Sequence, residues 1–153
     1  MLSSKDYCDY ETCVALKELG FSEPTLAYYH GFLPSKPLLY LVIDEDCMPK
    51  DGVNVFDLLS NSNKYKDSKN IDAPTLWEAQ KWLREEKGIF LDIGLFNDGV
   101  FYYCIRQKEN NYWREIYRSF FHDGLFDDHG KFESYEEALS EGIKVAIKIL
   151  KSN

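Results

Sequence analysis

Apolar positions recur three and four apart near the C-terminus, at Tyr135, Ala138, Leu139, Gly142, Ile143, Ala146, Ile147 and Leu150. That spacing gathers side chains on one face of an α-helix. Ser134 followed by Glu137 is a capping box, in which two side chains satisfy free amides of the first turn. The pattern predicts a helix over about 135–151. Gly142 in its middle costs about 1 kcal/mol relative to alanine, so a close approach of the helix to a sheet is expected there.

A second helical stripe lies in "APTLWEAQKWLREEKG". Leu76, Ala79 and Leu83 share a face with Trp82 beside it, Thr75 and Glu78 have capping-box spacing, and Gly88 can close the end. A helix over about 75–87 is predicted, with Lys81, Arg84 and Lys87 interleaved with Glu78, Glu85 and Glu86 as a salt-bridged solvent face. Trp77 falls off the stripe and either packs beneath a loop or stands exposed; burial is expected for so large a ring. A first helix over about 9–19 follows from Cys13, Leu16 and Leu19 at helical spacing ahead of Gly20.

Strict alternation replaces this period in "IFLDIGLF" and "VFYYCIRQ", which flank the turn "NDG" and predict a β-hairpin. Ile89, Leu91, Ile93 and Leu95 should face the helices, leaving Asp92 and Gly94 to look outward or to contact another strand. Residues 112–121 fit both helical spacing and an aromatic edge strand, and a preceding turn signal favours the strand. "LLYLVI" at 38–43 reads as a strand without an evident partner, and 44–72 as mostly loop around the apolar island "VNVFDLL". The aromatic run "LAYYHGF", with Tyr28, Tyr29, His30 and Phe32, lies between proline-marked turns; it either lines a pocket or staples a loop to the domain, and the staple is expected.

The sum is an α+β protein. A small antiparallel sheet of three to four strands centred on 89–107 is covered on one face by two amphipathic helices, with a further N-terminal helix at an edge. A length of 153 residues with 44% hydrophobic positions suffices for one domain over 1–153 with a genuine core.

Charge changes the picture of partners. Eighteen basic against twenty-six acidic residues give a net charge of −8, a field that repels nucleic acid and anionic membranes. A protein partner is expected instead. Cys8, Cys13, Cys47 and Cys104 form no C-x-x-C pair and read as reduced thiols. With no apolar leader and no long uncharged apolar run, a cytoplasmic location is expected.

One stretch offers metal chemistry. "HDGLFDDHG" brings His122, Asp123, Asp127, Asp128 and His129 into eight positions, and imidazole with carboxylate is a ligand set for zinc, manganese or iron. The spacing matches neither an EF-hand nor a helical histidine pair. Two glycines with aspartates are also ordinary turn chemistry, so a solvated turn without a tightly bound metal is expected, with Leu125 and Phe126 drawn toward the core. No residues are assigned as catalytic and no cofactor is expected: there is no phosphate-binding glycine loop, no nucleophile elbow, and no histidine whose spacing activates a cysteine.

"KELGFSEPTLAYYH", "APTLWEAQKWLREEKGI" and "FESYEEALSEGIKVAIKIL" resemble a widespread family of small uncharacterised proteins from phages and prophages of gut Bacteroidales. The most specific part is "KWLREEKGI", then a hairpin, then "SYEEAL". The resemblance implies an origin and a shape and carries no mechanism. The expected function is a non-enzymatic accessory or protein-binding module of mobile-element origin; the alternative is a metal-dependent enzyme using the His122–His129 cluster.

Overall fold

The computed structural model describes residues 2–30, 37–41, 62–64, 68–122 and 124–153, with the backbone alone for His122. Within 1–153, for which composition predicts one domain, two compact units are distinguished, Met1–Thr75 and Leu76–Asn153.

In the first unit, Asp9 caps helix α1 (Tyr10–Glu18) by accepting a hydrogen bond from Thr12 N at 2.8 Å. Gly20, at φ 98°, follows the helix in the left-handed conformation that glycine adopts without strain. Thr12, Cys13 and Leu16 are the buried face of α1, which packs on strand β3 of a three-stranded antiparallel sheet. Its order is β2-β1-β3, with β1 Ala27–Tyr29, β2 Leu39–Leu41 and β3 Ile71–Ala73. Two expectations are corrected here. The aromatic run is not a stapled loop through Tyr28 and Tyr29, because these lie on the central strand β1, which is the missing partner of "LLYLVI", whose Leu39–Leu41 form β2. The segment read as loop to residue 72 ends in strand β3. The island "VNVFDLL" and Phe32 lie outside the described residues.

Asp72 shows why β3 was hard to see. Its alternating position would suit solvent, yet it is fully buried. Its two carboxylate oxygens accept from Ser62 N at 3.0 Å and Asn63 N at 2.8 Å, and its own N–H donates to Asn63 Oδ1. A buried carboxylate persists only when so satisfied. Asp72 thus fixes the 3-10 turn Ser62–Lys64 to the sheet.

The second unit holds α2 (Leu76–Glu86), β4 (Ile89–Leu95), β5 (Phe101–Glu109), β6 (Tyr112–Arg118), β7 (Phe121–His122), β8 (Leu125–Phe126) and α3 (Tyr135–Ser152). The five strands form one antiparallel sheet in sequence order. The α+β class stands, and the sheet is extended beyond four strands by two strands of two residues each. Ser134 accepts from Glu137 N at 3.1 Å to start α3, and the Glu137 carboxylate reaches back to Glu133 N. Leu76, Ala79, Trp82 and Leu83 of α2, and Ala138, Leu139, Gly142, Ile143, Ala146 and Ile147 of α3, are buried. Both helices pack on the sheet and on each other.

The helix-facing side carries Ile89, Leu91, Tyr103 and Ile105, all buried. The expected apolar row weakens toward the hairpin: Ile93 is half-buried and Leu95 is 60% exposed. Trp77 is a further correction, since it stands exposed at 39%; its place off the stripe outweighed the size of its ring. Among the described residues no helix is long and apolar enough to cross a membrane.

Candidate functional site

Between β6 and α3 the chain makes the small hairpin of β7 and β8 and then a 3-10 turn, Asp128–Gly130. Gly124, at φ 80°, allows the reversal. Asp127 caps the 3-10 turn, its Oδ1 accepting from His129 N at 2.9 Å. Asp128 pairs with Lys131 Nζ at 3.3 Å, and that ammonium lies 4.7 Å from the Phe126 ring and 5.6 Å from Phe96. His129 is exposed. The side chain of His122 and all of Asp123 lie outside the described residues. Among the described residues no three His, Cys, Asp or Glu converge as a metal-binding group. Leu125 and Phe126 do not turn to the core as expected: they are 73% and 56% exposed, because the short hairpin extends the sheet sideways.

This turn is anchored from below. Buried Ser119 donates from Oγ to Gly130 O at 2.6 Å, accepts from Tyr103 N at 3.1 Å, and bonds Tyr103 O through its own N–H at 2.9 Å. The Ser119 backbone fills the space where a Gly130 side chain would stand.

The other chemistry-bearing surface is the sheet face turned away from α2 and α3. The pairings Phe90↔Arg106, Asp92↔Cys104, Arg106↔Glu115 and Cys104↔Arg118 place these residues side by side. Arg106 contacts Asp92 at 3.0 Å, and Arg118 contacts Glu115 through Nε at 2.6 Å and its terminal nitrogen at 3.3 Å. A shift in register at Ile105/Arg106 leaves Ile116 as an extra residue on β6, a bulge that brings Glu115 and Arg118 to the same side. Beneath the ion pairs lies the Cys104 thiol, 5% exposed. Burial, helped by Glu115, pushes it up to about 11, so it is a protonated, poor nucleophile at neutral pH.

Aromatic rings flank the charges at both ends. Phe90 and Trp113 approach at 5.8 Å. Phe96, Tyr102 and Phe120 form a triangle with separations of 4.6, 4.9 and 5.0 Å, and Arg118 stacks over Phe120 at 5.8 Å. Sequence reading foresaw an outward Asp92 and missed the rest. The missed signal was the hairpin register: positions equidistant from "NDG" face one another, so Asp92 and Arg106 are diagonal neighbours on one side.

Cys8 and Cys13 are buried, Cys13 Sγ donates to Cys8 O at 3.5 Å, and burial raises the Cys13 thiol well above its ordinary range. Tyr29 donates from its hydroxyl to the same carbonyl at 2.9 Å, and burial raises it as well. Cys47 lies outside the described residues. The predicted basic strip of α2 is paired: Lys81 and Arg84 reach Glu85 at 4.0 and 3.3 Å, and Lys87 lies over Trp82 at 5.1 Å.

No protein-family model, curated protein or solved structure matches the chain.

Proposed function

We propose that this protein is a non-enzymatic accessory module that binds another protein through the outer face of its five-stranded sheet. The observation that carries the reading is the composition of that face. Two side-by-side Arg–carboxylate pairs are framed by Phe90 with Trp113, which is 38% exposed, and by the Phe96–Tyr102–Phe120 triangle. Tryptophan, tyrosine and arginine dominate binding energy at protein interfaces. Alternating charges specify register rather than attract a uniformly charged polymer. The resemblance of "KWLREEKGI" and "SYEEAL" to small phage and prophage proteins of gut Bacteroidales supports an origin on a mobile element, and a cytoplasmic location belongs to the same proposal.

The test is affinity capture from a Bacteroidales host lysate with the full chain, compared with a Trp113→Ala, Arg118→Ala double variant. A discrete protein should be retained by the parent chain and bound at least tenfold more weakly by the variant, with unchanged unfolding. Equal binding by both would sink the assignment to this face.

A further inference from the structure

We propose that the open edge of β4 pairs with the same edge of a second copy of this chain, antiparallel about a two-fold axis through Gly94. The bonding phase of the sheet shows which groups are available. Lys108 N donates to Gly88 O at 2.9 Å and Phe96 N to Val100 O at 2.8 Å, so the even-numbered residues of β4 bond β5. Ile89, Leu91, Ile93 and Leu95 therefore turn their N–H and C=O groups to the opposite side. The same alternation appears across β5, where Phe101 and Tyr103 bond Phe132 and Ser119, away from β4. Gln80 Nε2 of α2 donates to Leu91 O at 2.9 Å, which closes the edge at that point. Among the described residues no group bonds the outward N–H and C=O of Ile93 and Leu95.

Edges are ordinarily guarded by lysine, proline or a bulge. Strand β4 has none of these, and its one charge, Asp92, is spent on Arg106 across the outer face. At the open end Leu95 is 60% exposed.

The edge fits itself. Pairing Gly94 with Gly94 sets Ile93 opposite Leu95 of the other copy, twice, and each such pair exchanges two backbone hydrogen bonds. Ile93 and Leu95 share one face, so apolar side chains meet apolar side chains. On the other face the Tyr102 ring occupies the space above Gly94, and the opposing residue must be small; Gly94 of the second copy meets that demand. Asp92 falls opposite Phe96, so no acid opposes an acid. Three residues a side bury less than the roughly 1,200 Å² of a stable interface. The dimer is accordingly weak and reversible, with a dissociation constant on the order of 100 μM. It leaves the outer face open and stands independently of the partner proposed for it.

Sedimentation velocity of the full chain from about 10 μM to about 1 mM, spanning that constant, should show a concentration-dependent dimer. Leu95→Lys should weaken it at least tenfold without moving the unfolding midpoint, since Leu95 is exposed. In the parent chain, exchange of the Ile93 and Leu95 amides should slow as concentration rises, while the Gly94 amide, already bonded to β5, should not change. A monomer throughout overturns the proposal, as does a dimer in which those two amides stay unprotected. Protection that arises only when a different protein is added gives the edge to that partner and also overturns it.

Discussion

Gly142 sits where α3 crosses β4 and β5, and a methyl group on its α-carbon would stand 2.9 Å from Leu91 Cδ2 and 3.2 Å from Tyr103 Cγ. Both neighbours are buried and have little room to give. Gly142→Ala gains about 1 kcal/mol of helix propensity and loses about 1–3 kcal/mol to overpacking. A net loss of about 1 kcal/mol in denaturant unfolding is expected, and stabilisation would show that the helix can lift off the sheet. This residue was legible in the sequence because a glycine inside a strong stripe is an anomaly that only packing explains. Trp77 was not, because its position and its size argued opposite ways. The buried thiols give the residue scale a pH signature. Cys104 rises from an ordinary 9.0 to about 11, and burial moves Cys13 in the same direction. A group raised on folding contributes stability that is fully present below its unfolded value and lost as pH rises through its folded value. The urea midpoint should hold steady from neutral pH to about 9 and fall between there and about 11, in step with the direction of the shifts. An unchanged midpoint across that interval would mean the thiols are not buried in the folded chain.

Elements were readable in proportion to their length and periodicity. The eighteen residues of α3 and the β4–β5 hairpin repeat their signal several times and carry end markers in Ser134 and Gly99. Strands β1 and β3 have three residues each, too few for alternation to stand out. Their pairing joins residues 27–29 to 71–73, a long-range contact that no local pattern encodes. Asp72 in the middle of β3 further disguises it, since the turn that satisfies its carboxylate lies nine and ten residues away. The α3 stripe invites a direct measurement. Leu139 is fully buried, and Leu139→Ala should cost about 2–5 kcal/mol through lost transfer energy and the cavity left behind. A loss below about 0.5 kcal/mol would show that the helix is not held by this face.

At the scale of the whole molecule, charge is the property that sequence states most directly, and the structure shows how it is spent. The net charge is −8, and both arginines of the aromatic outer face have carboxylate partners, Arg106 with Asp92 and Arg118 with Glu115, as does Lys131 with Asp128, while exposed Lys108 stands opposite Trp113. Aromatic rings beside arginines on an open sheet face would otherwise suit single-stranded nucleic acid, through stacking combined with phosphate contacts. Here each arginine would have to leave a carboxylate before it neutralised a phosphate, and the exposed carboxylate would then repel the strand. Binding gains from counterion release only when cations are free to replace the condensed ions. Duplex and single-stranded DNA should therefore fail to bind below about 100 μM at physiological salt, at the weak end of non-specific association. A gel-shift or anisotropy titration that found micromolar binding, falling steeply with added salt, would show that the ion pairs open for phosphate and would move the outer face from protein recognition to nucleic-acid recognition.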